Sequence, residues 1–227
     1  MNINKHLILL FSVLFFLFAV SVSSGCFRKN ESDVKSVVRN ELDQLKNLDS
    51  ETTQKYIPYT ELFPDATENT DLTDEINETF SLFFRKFNYK ISDVIVGTAN
   101  HSATVSVKLT TIDSKVLARD FKAELLRTQI TESAQAQKGN IKDSSRSLEA
   151  HYLILNHLLN TNDYDTAETD CNIQLVNTGN DKKEKWKIQR TNSLEDDLVG
   201  GLIADLADPD ILSPEDTLTV YLDTLQK

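Results

Sequence analysis

The stretch Ala103-Thr104-Val105-Ser106-Val107-Lys108-Leu109-Thr110 decides the fold. Apolar and polar residues alternate without a fault, so one face of an extended strand is buried and the other is wet. A second stretch repeats the pattern: Ala167, Thr169, Cys171, Ile173 and Leu175 alternate with Glu168, Asp170, Asn172 and Gln174. Residues 177–181, with Gly179, then predict a hairpin turn, and Lys185-Trp186-Lys187-Ile188-Gln189-Arg190 alternates again. Tyr89–Val96 predicts a further strand. Its apolar phase begins at Tyr89 and Ile91 and resumes one residue late at Val94 and Val96, which suggests a bulge at Ser92-Asp93. Matching these phases places Trp186 in the core with Ile188, Ile173 and Val107.

Helical periodicity surrounds these strands. Val34, Val37, Val38, Leu42, Leu45 and Leu48 share one face, after Ser32 or Asp33 as a cap. Ser50–Tyr56 reads as a short second helix. Ile76, Phe80, Phe83, Phe84 and Phe87 form an aromatic stripe, expected to be core. A long helical stretch opens at Asp113 or Ser114, breaks over the polar residues 135–145, and resumes through Leu148, Tyr152, Leu155 and Leu159. Ser193 is expected to cap a helix running through Leu194, Leu198, Leu202 and Leu206 despite Gly200-Gly201. Ser213-Pro214-Glu215-Asp216 opens a last helix whose apolar face is Leu218, Tyr221, Leu222 and Leu225.

Hairpins separated by a helical excursion make an α+β domain. The opening amphipathic helix, the strand at Ala103–Leu109, and Cys171–Leu175 leading through a turn to Trp186-Lys187-Ile188 together resemble the nuclear-transport-factor-2-like cone fold. The resemblance implies a bent antiparallel sheet wrapped on N-terminal helices, with C-terminal helices. The helical insertion at about 114–160 between the two hairpins is longer than a simple cone needs. The expected organisation is a signal peptide at 1–25, a lipidated tether at 26–32, the cone-like domain at 33–206, and a C-terminal helix at 207–227.

The beginning of the sequence carries its own signal. One fixed positive charge, Lys5, precedes Leu7–Val20, apolar except for Ser12. Small residues follow: Ser21, Ser23, Ser24 and Gly25. This is the pattern of a secretory signal peptide, and the apolar run is short for a spanning helix. Ser24-Gly25-Cys26 resembles the lipobox of bacterial lipoproteins, departing from it at Ser23, where that family usually has Leu. The resemblance implies a diacylglycerol-modified, palmitate-bearing Cys26 as the mature N-terminus, and a place on the extracytoplasmic face of the cell membrane. Two acyl chains hold a protein at a bilayer where one is marginal.

Charge narrows the partners. The chain has 24 Lys+Arg against 35 Asp+Glu, a net charge of -11. Nucleic-acid binders depend on Lys/Arg against phosphate, so a nucleic-acid partner is not expected. The two Cys exclude a disulfide-stapled scaffold and a Cys₄ zinc site. His151 and His157 are about 240° apart around one helix, so they face apart. Asn160-x-Asn162-Asp163-x-Asp165 has Asp where a calcium loop needs Gly, so no metal or other cofactor is expected. There is no Gly-x-Ser-x-Gly and no Walker loop. Cys171 lies on the buried phase of its strand, as a small hydrophobe.

The strand phases leave Tyr89, Asp93, Trp186 and Arg190 as a tentative pocket, with Asp93 at the bulge and Arg190 at a strand end, expected to pair with an acid. No catalytic residue is nominated. The expected activity is binding of a protein or small molecule by a membrane-tethered, non-catalytic module. The alternatives are a hydrolase or isomerase using the cone pocket, and a scaffold docking a partner through the C-terminal helix.

Overall fold

The computed structural model describes residues 30–56, 62–63, 72–97, 101–137, 146–179 and 184–226. Elements in chain order are α1 (30–46), α2 (Ser50–Tyr56), α3 (Thr73–Phe84), β1 (Asn88–Val96), β2 (Ser102–Ile112), α4 (Ser114–Ala136) and α5 (Leu148–Thr161). They continue with β3 (Thr166–Asn177), β4 (Trp186–Ile188), α6 (Asn192–Leu198), α7 (Leu202–Ala207) and α8 (Pro214–Leu225). The segment expected to be a signal peptide, and Cys26, lie outside the described residues. Helix α1 already runs at residue 30, so residues 30–32 of the expected tether are helical.

The architecture is α+β with one four-stranded antiparallel sheet, ordered β1-β2-β3-β4. Ala103, Val105, Val107 and Leu109 are buried in alternation, as the pattern of β2 requires. On the wet face, polar side chains link β2 to β3. Thr104 donates to Gln174 at 2.9 Å, Ser106 to Asn172 at 2.9 Å, and Lys108 to Glu168 at 3.1 Å. Each step up β2 is a step down β3, which is an antiparallel register; such cross-strand pairs contribute about 0.2–1 kcal/mol each. Strand β4 pairs Ile188 with Leu175 and Trp186 with Asn177. It is shorter than the alternation of residues 185–190 suggested, because alternation records which side faces the core and not how far a ladder runs. Trp186, Ile173 and Val107 are buried, and Ile188 is half-buried. In β1 the burial phase slips as expected: Tyr89 and Ile91 are covered, Ser92 and Asp93 are both exposed, and cover resumes at Val94 and Val96.

The chain divides into two compact units. The first comprises Met1–Asn40, Ile91–Ser106 and Asn172–Gln189, and buries Val34, Val38, Val96, Val105, Ile173, Leu175 and Trp186. The second comprises Glu41–Lys90, Val107–Cys171 and Arg190–Lys227 and is mainly helical. Its core holds the aromatic stripe of α3: Phe84 meets Phe83 and Phe87 edge-on, at 5.5 Å and 5.3 Å between ring centres. A second aromatic group joins Phe63 to Phe121 at 5.2 Å and to Tyr152 at 5.5 Å. Helices α3 and α5 pack together, and the buried Thr79 hydroxyl crosses between them to Asn156 Oδ1 at 2.5 Å.

The C-terminal helices differ from expectation at two glycines. The helix does not run through Gly200-Gly201; α6 ends before them and α7 begins after them. Both have positive φ, +65° and +91°, a conformation that glycine adopts without a Cβ clash. A Cβ on Gly200 would lie 2.2 Å from Thr111 Oγ1, so a β2 side chain closes on the bare backbone. The cap of α6 is Thr191, whose hydroxyl accepts from Leu194 N–H at 3.1 Å, and not Ser193.

Candidate functional site

Three of the four residues nominated from the strand phases are engaged in bonds within the protein. Tyr89 donates its hydroxyl to the Asp43 carboxylate of α1 at 2.5 Å. Trp186 donates its indole N–H to Glu184 at 3.3 Å. Arg190 donates to Glu195, a buried carboxylate in the first turn of α6. The expected acid partner of Arg190 is therefore present. Asp93 faces solvent, so its expected inward orientation is corrected: the phase slip sets Ser92 and Asp93 side by side in the wet part of the strand. Tyr89, Trp186 and Arg190 each bond an acid outside the nominated set.

A cavity of about 210 Å³ lies in the second unit, where the ends of α3 and α5 approach the segment leading into β3. Its wall includes Arg85, Lys86, Asn160, Asn162, Asp163 and Tyr164. Helix C-termini present unsatisfied carbonyls and favour cations. Lys86, just beyond α3, meets the Tyr164 carbonyl and the Asp163 carboxylate, each at 2.5 Å. Its hydrogen bond and charge hold Asp163 below the ordinary carboxylate range. Tyr164 donates to Asp120 at 3.1 Å and accepts from Asn162 at 3.0 Å. Burial pushes its phenol up to about 12, so at neutral pH it is a donor and not a base. Segment 160–165 lines this cavity while its acids stay in water, Asp163 being 94 % exposed, and it is tied to a lysine 77 residues away. No local pattern signals that pairing.

Cys171 is buried, and its thiol is pushed up to about 12 by burial first and by the adjacent Asp197 carboxylate second. A thiol in that state is a poor nucleophile. Burial in turn raises Asp197. His151 sits against Phe63 and Phe121, at 4.8 Å and 5.6 Å between ring centres, and burial pulls its pKa down. Its Nδ1 is 2.7 Å from the Ser147 carbonyl oxygen, which only accepts, so the proton is on Nδ1. Among the described residues, no group of three His, Cys, Asp or Glu side chains is placed to hold a metal ion.

Helix α8 presents a different kind of surface. Ser213 caps it, with its hydroxyl oxygen accepting from Asp216 N–H at 3.1 Å, and Pro214 takes the first helical position. The helix packs on α4, yet Val220 is its one buried residue, 5 % exposed. Leu218 is 58 % exposed, Tyr221 47 %, Leu222 48 % and Leu225 56 %. At 100° per residue, Leu218, Leu222 and Leu225 lie about 140–200° from Val220, so the leucine stripe points away from the anchoring side. Single exposed apolar residues are ordinary; several aligned on one helix mark an interaction surface.

No described helix is long and apolar enough to cross a membrane. Comparison with protein-family models, with curated proteins and with solved structures gives no match to this chain.

Proposed function

We propose that this protein is a membrane-tethered extracytoplasmic lipoprotein whose folded part is a non-catalytic binding module, docking a partner on the outward face of α8. The observation that carries the docking is the exposure of Leu218, Tyr221, Leu222 and Leu225 on a helix anchored through Val220. The tether rests on Ser24-Gly25-Cys26 after the apolar run Leu7–Val20. The cone reading of the sheet rests on the phase slip at Ser92-Asp93, the kind of defect that bends a strand. Binding without chemistry agrees with the engagement of Tyr89, Arg190, Lys86 and Tyr164 in bonds within the protein, and with a Cys171 thiol far from ionising.

Two experiments test the reading. Metabolic labelling with palmitate should mark the protein, and Cys26→Ser should abolish the label; equal labelling of the variant removes the lipid anchor. A photo-crosslinking group placed at Leu222 should trap a discrete adduct in cells. Leu218→Ser with Leu225→Ser should abolish that adduct. Absence of any adduct, or one indifferent to these substitutions, overturns the docking face.

A further inference from the structure

We infer that the cavity at the ends of α3 and α5 holds a small apolar α-amino acid in its zwitterionic form, at a site separate from the face of α8. The floor of the cavity is apolar: Ile112, Leu159 and Tyr164 are buried, and Leu82 is half-buried beside them. Its volume of about 210 Å³ is the share of about seven waters at ~30 Å³ each, room for a molecule the size of leucine. Pockets for drug-sized ligands begin near ~300 Å³, so a larger ligand is not accommodated.

The wall supplies a positive group with nothing to bind. Arg85, directly after α3, is exposed, and among the described residues its guanidinium has no hydrogen-bond or ion-pair partner. Lys86 beside it is already committed to Asp163 and to the Tyr164 carbonyl. Asp163 is held below the ordinary carboxylate range by Lys86 first, and the Arg85 charge adds to that effect, so Arg85 stands within reach of the same cluster. A guanidinium presents a planar fork of donors that matches a carboxylate through two parallel hydrogen bonds. The Asn160 amide, also without a partner among the described residues, adds a donor and an acceptor to the wall.

The same wall supplies negative charge. Helix α5 ends at Thr161, and the Asn162 N–H goes to the Leu158 carbonyl. The next three carbonyls, of Leu159, Asn160 and Thr161, accept no backbone N–H among the described residues and carry the negative end of the helix dipole. Asp163 follows, with one carboxylate oxygen to spare beyond the one that Lys86 takes. An ammonium, with three donors and no acceptor, suits that end. The two poles together argue against simpler ligands. A phosphate, or a carboxylate with no ammonium, brings negative charge alone to a helix C-terminus and to Asp163. An amine with no carboxylate leaves the Arg85 fork empty and adds a third cation to two. A zwitterion answers both poles, and its apolar side chain covers Ile112, Leu159 and the Tyr164 ring.

The probe is L-leucine, titrated into the full chain and followed by amide chemical shifts. It should bind with a Kd of about 1 mM or tighter, well within the limit for a molecule of that size, and move the amides of residues 159–164. Two analogues each lack one pole: isocaproate has no ammonium and isoamylamine has no carboxylate. Each should bind about tenfold or more weakly than leucine. Glycine, which lacks the apolar body, should also bind about tenfold or more weakly. Arg85→Gln changes an exposed side chain; it should weaken leucine about tenfold and leave isoamylamine unchanged. Lys187→Gln, on β4, should change neither. Isocaproate binding as tightly as leucine overturns the zwitterion, and isoamylamine doing so overturns the pairing of Arg85 with a carboxylate. Leucine shifts that are absent from residues 159–164, or unmoved by Arg85→Gln, overturn the site itself.

Discussion

Helices α5 and α8 are close in length, 14 and 12 residues, and both are amphipathic, yet the protein treats them oppositely. Helix α5 buries Leu148, Tyr152, Leu155, Asn156, Leu158 and Leu159 between α3 and α4. Helix α8 buries Val220 alone and turns its leucines outward. An apolar stripe in a sequence states that a face avoids water; it does not state whether the same chain covers that face.

The largest expected effect comes from truncating the two stripes at matched positions. Leu155 is almost fully buried, and Leu155→Ala should lower stability by about 2–5 kcal/mol, the lost transfer energy plus the void left behind. Leu222→Ala should change stability by no more than about 0.5 kcal/mol, because the side chain is half in water and Ala is an equally good helix former. Urea denaturation of the two variants reads the difference directly. A large loss at Leu222 would show that its face is already covered within the protein.

A smaller effect should appear with pH, at His151 of α5. Burial lowers the pKa of His151 from its ordinary 6.5, and the nearby Lys122 charge adds to the lowering. The unfolded chain therefore binds a proton first as pH falls. Above about 6.5 the ring is neutral in both states and has no pH-dependent effect. Below that, stability should decline until pH passes the lowered folded value. Urea midpoints measured downward from neutral pH should fall, and His151→Gln should flatten that part of the curve. An unchanged slope in the variant would assign the decline to carboxylates instead.

The legibility of the sequence followed the same division between pattern and partner. Strand β2 was readable because period-two burial is a property of the strand itself. The slip at Ser92-Asp93 was readable for the same reason, although it did not aim Asp93 inward. The break at Gly200-Gly201 was missed because the apolar spacing continues across it. What breaks the helix is a pair of positive φ angles with Thr111 packed against the bare Gly200 backbone, and Thr111 is remote in sequence. At the nominated site, the acid for Arg190 lies five residues on and could be anticipated in kind, whereas Asp43 is 46 residues from Tyr89. The stripe on α8 was legible residue by residue, and its exposure was not, because exposure depends on how the rest of the chain is distributed.

The smallest effect sharpens the comparison most, because it makes the same chemical change in both helices. Ser147 caps α5 by accepting from Ala150 N–H at 3.1 Å, and Ser213 caps α8 by accepting from Asp216 N–H at 3.1 Å. Replacing either by Ala removes one cap, typically about 1 kcal/mol. The helices should report the loss differently. Unfolding α5 alone would expose Tyr152 and Leu155 and take apart the packing with α3, so Ser147→Ala should shift the global denaturation midpoint. Of its own side chains α8 buries only Val220, so that helix should open without the rest of the protein. Ser213→Ala should then leave the global midpoint in place and speed hydrogen exchange of the α8 amides by about fivefold, the factor that corresponds to about 1 kcal/mol. Addition of a partner that covers the leucine stripe should slow that exchange again, since α8 would acquire the buried face that α5 already has. Equal global shifts from the two serine variants would show that α8 folds as one with the second unit, and the contrast between the helices would reduce to exposure alone.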